Sequence, residues 1–284
     1  MNANAEHVLL TGASGGIGSA LARALARRGA RLILLGRRRE RLAPLAAEIR
    51  QAGPPAWIME ADLETADPAA LIAACLALAG RIDVLVNCAG IQLFGGAEHE
   101  AAGDTARLFA ANLVVPVQLC NAVLPHMLAR GSGRLVNVGS IFGSIGFPFF
   151  TSYCASKFGL RGYCQALRRE LGGRGVDVTY VAPRYTRTGF NQDRVARMAS
   201  ALGMNQDDPE RVAARIVTAM RGRGRDVYLG WPEKLFVRLN GLVPRLVDAA
   251  LRGETRRMSP YALPAAGGSA DAEINAVQAR STPP

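Results

Sequence analysis

The chain has 284 residues, with 34 Lys and Arg against 23 Asp and Glu, three His and five Cys. That length suits one large α/β domain, and a core of this scale needs no disulfide or metal staple. The apolar content of 49% with only 6% aromatics excludes disordered and collagen-like classes.

The net charge of +11 raises nucleic acid as a partner, but only Lys157 and Lys234 are lysines; the rest are scattered arginines. No recognition helix or zinc finger accompanies them, so no nucleic-acid partner is expected. Cys75, Cys88, Cys120, Cys154 and Cys164 are odd in number and contain no C-x-x-C. This predicts neither a disulfide framework nor a metal site, and a reduced, cytoplasmic setting. Residues 1–7 carry no basic segment followed by an apolar one, which predicts no secretory signal. No run of 18 consecutive apolar residues suggests a membrane span.

Strand and helix patterns alternate along the chain. Val8-Leu9-Leu10 reads as a strand, Thr11 to Gly18 as a glycine-rich turn, and Ile17 to Arg28 as a helix. Strands follow at 31–35, 56–60, 82–86, 134–138, 176–181 and 226–229. Helices lie at 38–51, 68–78, about 104–130, 152–171 and 209–221. Apolar strands separated by helices predict a Rossmann-type, doubly wound parallel sheet, with ligands beyond the carboxyl ends of its strands. The expected organisation is a nucleotide-binding and catalytic domain over 1–230, an amphipathic helical appendix over 231–258, and a disordered tail over 259–284 rich in Ala, Gly, Ser and Pro.

The turn Thr11-Gly12-Ala13-Ser14-Gly15-Gly16-Ile17-Gly18 joins the first strand to the first helix. Glycines there let a pyrophosphate approach the backbone and the N–H groups of the helix start. After the second strand stands Gly36-Arg37-Arg38-Arg39, where an acidic residue would bind the ribose hydroxyls of NAD. A guanidinium there forks onto a 2′-phosphate instead. Arg37, assisted by Arg38, therefore predicts NADP(H), while Arg39 and Arg41 suit a solvated helix start.

Tyr153 and Lys157 stand four residues apart on one helix face. The lysine ammonium, with a positive nicotinamide, favours the phenolate and brings the tyrosine down from its usual value near 10, which suits acid–base work. Ser140 closes a strand, where its hydroxyl can bond a substrate carbonyl. There is no G-x-S-x-G elbow for nucleophilic serine chemistry.

Thr-Gly-x-x-x-Gly-x-Gly, Asn87-Cys88-Ala89-Gly90, Asn112, Ser140 and Tyr153-x-x-x-Lys157 occur in one order over about residues 7–230. In this the chain resembles the short-chain dehydrogenase/reductase family. The resemblance implies catalysis by Asn112, Ser140, Tyr153 and Lys157. It gives Asn112 a kink in the long helix and a water link to Lys157. It implies cofactor contacts from Gly12, Ser14, Gly15, Gly16, Ile17, Gly18, Arg37, Arg38, Asp62, Leu63, Asn87, Ala89, Gly90, Tyr153 and Lys157, and from Pro183, Thr186 and Thr188 in a Pro-Gly-x-x-x-Thr-like segment. Asp62 also reads as a helix cap. Cys88 replaces a common second Asn, and Arg184 replaces the usual glycine, which puts the local loop geometry in question. The resemblance further implies a homodimer or homotetramer through the long helices near Asn112 and Tyr153.

The expected substrate lid is about 189–206, with Phe190, Met198, Leu202, Met204, Arg194 and Arg197. The aromatic run 146–150, with Leu93 and Phe94, reads either as an apolar approach to the site or as core. Residues 233–253 place Leu235, Leu239, Leu242, Val243, Leu246, Val247 and Ala250 on one stripe, broken at Pro244. The stripe can pack on the fold, form a dimer contact or lie on the inner face of a membrane.

These features predict an NADP(H)-dependent oxidoreductase interconverting a carbonyl and a secondary alcohol on an apolar small molecule: a lipid, acyl chain, steroid-like compound or terpenoid. The alternatives are a 3-oxoacyl thioester reductase of fatty-acid type, a non-catalytic NADP(H)-binding regulator, and a membrane-bound scaffold.

Overall fold

The computed structural model describes residues 5–263. Seven strands form one sheet: β1 His7–Thr11, β2 Arg31–Gly36, β3 Ala56–Glu60, β4 Val84–Asn87, β5 Gly133–Val138, β6 Val176–Ala182 and β7 Asp226–Tyr228. Their order is β3-β2-β1-β4-β5-β6-β7, and every pairing is parallel. The order reverses between β1 and β4, where the carboxyl ends diverge and leave a crevice.

Helices cover both faces. Leu21 and Leu25 of α1 (Gly16–Ala26), Leu42 and Ile49 of α2 (Arg39–Gln51) and Ile216 of α8 (Pro209–Met220) pack with Val8, Leu10, Leu32 and Leu34 on one side. Ile72 and Cys75 of α3 (Pro68–Ala79), Leu119 and Val123 of α5 (Val115–Ala129) and Leu160 and Cys164 of α6 (Thr151–Glu170) pack with Leu9, Ile33, Leu85 and Leu135 on the other. Burial on both faces explains why the central strands are almost continuously apolar.

The long helix expected over 104–130 is α4 (Ala102–Phe109), a π-helical turn (Ala110–Val114) and α5 in one run. Ala102–Ala129 is long and apolar enough to cross a membrane, although it holds no run of 18 consecutive apolar residues. Leu119, Cys120, Val123 and Met127 are nonetheless buried against the sheet, as in a core helix.

Residues 193–201 of the expected lid form α7 (Asp193–Ala201). The appendix is α9 (Glu233–Leu242) and α10 (Pro244–Ala262), broken at Pro244, which occupies the first turn of α10. Helix α10 passes the expected boundary at 258 and continues through Ala262, which is buried. Arg194 holds this end by donating to the Tyr261 and Ala262 carbonyls at 2.9 and 2.6 Å. The rest of the expected tail, 264–284, lies outside the described residues.

Candidate active site

A cleft of about 1130 Å³ runs across the carboxyl ends of the strands and under α9 and α10. At one end lies the glycine turn. Gly12 has φ of +65°, and a Cβ there would lie 2.8 Å from the Ala89 backbone. A Cβ on Gly18 would come within 2.1 Å of the Gly12 carbonyl oxygen. These glycines therefore hold β1, α1 and the end of β4 together. No side chain caps the first turn of α1, leaving its N-terminus to a phosphate. Gly12, Ser14, Gly15, Gly16, Ile17 and Gly18 all line the cleft. Thr188 packs on this turn: a Cβ on Gly16 would be 2.4 Å from its Cγ2.

Arg37 lines the same end, but Arg38 does not; its place is taken by Arg41. Arg38 is the N-cap residue of α2 in extended conformation, whereas Arg41 is one turn beyond Arg37. Asp62 and Leu63 line the wall, and Asp62 also accepts from the Glu64 N–H at 3.0 Å, so it serves as a local cap as well.

Cys88, Ala89 and Gly90 line the cleft, held by the buried Thr11 hydroxyl, which accepts from the Cys88 and Ala89 N–H groups at 3.0 and 3.1 Å. Asn87 does not line it. Asn87 is in register with Asn137 on β5, and the two side chains meet beneath the sheet, where Asn87 Nδ2 donates to Asn137 Oδ1 at 2.9 Å. Strand alternation sends residue 87 into the core and residue 88 to the ligand side. Burial pushes the Cys88 thiol up to about 12, which disfavours a nucleophilic thiolate.

Ser140, Tyr153 and Lys157 share the middle of the cleft, and all three are buried. Lys157 Nζ lies 5.8 Å from the Tyr153 ring centre and 3.5 Å from the Val138 carbonyl oxygen. Burial raises the Tyr153 hydroxyl above its ordinary range, with Ser140 working against it, and lowers Lys157 to about 8. Without a nicotinamide beside it, desolvation of the phenolate outweighs the neighbouring protein groups, so the chain alone favours the neutral phenol. Asn112 sits behind the wall in the π-helical turn, fully buried. Its side chain clamps Ile91, accepting from the backbone N–H and donating to the carbonyl, both at 2.9 Å, and donates to Ser156 Oγ. A Cβ on Gly90 would stand 2.8 Å from Asn112 Oδ1 and 3.6 Å from Lys157 Nζ, so only a glycine separates the two groups.

Sequence reasoning missed Tyr180. Its ring lies fully buried under Gly139 and Gly143, and its hydroxyl accepts from the Ser140 N–H at 3.1 Å and donates to the Ser140 carbonyl at 2.9 Å. One aromatic hydroxyl within the apolar end of β6 was the available signal.

Pro183, Thr186 and Thr188 line the cleft. Arg184 does too, and its loop carries no backbone strain; among the described residues Phe149, at φ of 63°, is the non-glycine with positive φ. Arg184 instead forms a two-pronged pair with Asp207 at 2.9 and 3.0 Å, bonds Glu233 at 3.1 Å and donates to the Trp231 carbonyl at 3.1 Å. It ties the loop after β6 to the lid and to α9.

The far arm is apolar. Phe147 and Phe150 line it from the aromatic run, with Phe142 stacked on Phe147 at 4.7 Å. Phe190, Met198 and Met204 come from the lid, and Phe236, Leu239, Val243, Val247 and Leu251 from α9 and α10. Leu93, Phe94, Leu202, Arg194 and Arg197 do not line the cleft, and Phe94 is buried against Phe150.

The sequence model of the short chain dehydrogenases matches residues 6–199, and the chain belongs to that family. It is 34% identical over 253 residues to "Ketoacyl reductase HetN" of Nostoc sp., covering 86% of this chain and 88% of that one. It is 32% identical over 264 residues to "Dehydrogenase/reductase SDR family member 7B" of Bos taurus, covering 88% and 81%. A solved 3-oxoacyl (acyl-carrier-protein) reductase from Agrobacterium tumefaciens C58, with NADP bound, is similar with a TM-score of 0.73 and 29% identity over 79% of this chain and 92% of that one. The chain is thus an oxidoreductase of this family with a nucleotide-binding Rossmann sheet.

Proposed function

We propose that this protein is an NADP(H)-dependent reductase that converts an apolar carbonyl compound to a secondary alcohol, and the reverse. The observation carrying this reading is one continuous cleft with the glycine turn at one end, buried Ser140, Tyr153 and Lys157 at its middle, and an apolar arm beyond. The glycine turn fits a pyrophosphate, since side chains at 12 and 18 would collide with the backbone. Arg37 and Arg41 together supply two guanidinium groups for a 2′-phosphate. The bound cofactor supplies the hydride.

The chain's own groups do the rest. Ser140 Oγ donates to the substrate oxygen and orients it. Tyr153 gives that oxygen a proton as negative charge develops on it; the neutral phenol that burial favours is the form required. Lys157, near 8 and separated from Asn112 by Gly90, restores the proton through the Asn112 side of the wall. Roofing of the arm by Phe236, Leu239 and Val243 excludes water and selects a lipid, acyl, steroid-like or terpenoid substrate. A 3-oxoacyl thioester is the second reading, favoured by the ketoacyl reductase relative. A homodimer or homotetramer in the cytoplasm is part of the proposal, supported by exposed Val114 and Phe158 on the helices that carry Asn112 and Tyr153.

The test is NADPH oxidation against ketones, aldehydes and 3-oxoacyl thioesters of graded chain length. Specificity rising with chain length supports the reading; no turnover across all three classes refutes it.

A further inference from the structure

We propose that the outer face of α9 and α10 docks on an anionic lipid bilayer, so that the apolar arm of the cleft opens at the membrane surface. Ten large hydrophobic side chains are exposed among the described residues, and six of them fall between 231 and 246. Phe236, Val243 and Leu246 border the mouth of the cleft, whereas Trp231, Leu235 and Leu242, at 66%, 42% and 79% exposed, lie outside it. Leu235 and Leu242 stand two helical turns apart on one line of α9, with Arg238 between them. A soluble surface rarely gathers this much bare apolar area in so short a span.

Charge selects the occupant. Arg238, Arg245, Arg252 and Arg256 are exposed on the same two helices and join no ion pair among the described residues. Glu233 is held by Arg184 and Glu254 by Arg257, leaving Asp248 as the exposed acid of these helices. A second copy meeting this face would bring the same arginines against one another. An anionic bilayer instead pairs with them while their aliphatic stems lie along the apolar line. An indole at one edge and leucines beside it match an interfacial helix. The inner flanks of the same helices line the cleft through Leu239, Val247 and Leu251, so a substrate dissolved in lipid would meet the arm without crossing water. That last step rests on the proposed apolar substrate; the docking itself does not.

The test is co-sedimentation of the full chain with phosphatidylglycerol vesicles, and with phosphatidylcholine vesicles, at low and high salt and without substrate. A blue shift of tryptophan emission that is lost in the Trp231→Ser variant, which keeps Trp57, gives a second readout. Two variants accompany the parent: Trp231→Ser/Leu235→Ser/Leu242→Ser and Arg238→Gln/Arg245→Gln/Arg252→Gln. None of these residues lines the cleft.

The expected result is binding to anionic vesicles that salt releases and that is about tenfold weaker to neutral ones. Either variant should bind anionic vesicles about tenfold more weakly and turn over a short, soluble carbonyl as the parent does. Equal binding to neutral vesicles, or unchanged binding of both variants, overturns the proposal. So does an absence of vesicle binding. If the serine variant then also dissociates a dimer in velocity sedimentation, the face is a contact between copies. Vesicle binding is read without turnover, so it stands or falls separately from the reductase assignment.

Discussion

Lys157→Met should make the cofactor-free protein more stable and the enzyme inactive. The lysine is buried in the cleft wall, and burial lowers it from 10.5 to about 8. Below about pH 8 the folded chain therefore holds a buried ammonium at the full cost. Between about 8 and 10.5 the unfolded chain binds more protons, so stability rises with pH and the cost fades. At about 1.4 kcal/mol per pH unit, the drop from 10.5 to about 8 corresponds to about 3 kcal/mol at pH 7 and about 1 kcal/mol at pH 10. Methionine fills a similar volume and carries no charge. Urea unfolding of both proteins at pH 7 and pH 10 reads the difference directly. The variant should be ahead by about 3 kcal/mol at pH 7, with the lead shrinking at pH 10. A variant no more stable than the parent at pH 7, or a lead equal at both pH values, would refute the reasoning.

Tyr180→Phe removes the hydroxyl that brackets the Ser140 backbone and should lower kcat about tenfold or more while cofactor affinity holds, at a stability cost of about 1–3 kcal/mol; unchanged kcat would mean that Ser140 is held by other contacts. Arg184→Ala leaves Asp207 and Glu233, each about 15% exposed, without their cation and should cost about 2–4 kcal/mol in urea unfolding. It should also lower kcat/KM more for long-chain than for short-chain carbonyls, because α9 loses its tie to the loop after β6; an unchanged ratio would show that the clasp only stabilises. Arg37→Asp should weaken NADPH binding about 30-fold or more in a fluorescence titration and affect NADH far less, and equal losses for both would contradict a 2′-phosphate contact.

The alternation of strands and helices was legible because burial on both faces leaves continuous apolar runs such as Val8-Leu9-Leu10. The glycine turn and the four-residue spacing of Tyr153 and Lys157 were legible because local backbone geometry fixes what they present. Asn87 does not line the cleft because alternation along β4 turns it to the same face as Leu85, where Asn137 and Cys120 meet it from elements remote in sequence. Arg41 rather than Arg38 lines the cleft beside Arg37, and the helix start sits one residue later than the pattern suggested. The aromatic surroundings of Tyr153 were hidden, since Phe142, Phe150 and Phe190 approach its ring from three segments, the last far along the chain. Arg184 looked like a liability because its partners at 207 and 233 are remote in sequence.

The most direct test of the central claim is Tyr153→Phe, measured for NADPH binding and for turnover of a carbonyl that the parent reduces. The account predicts near-parental NADPH affinity with turnover lower by about 100- to 10,000-fold, since only the proton-donating oxygen is removed. Turnover within a few-fold of the parent would contradict it.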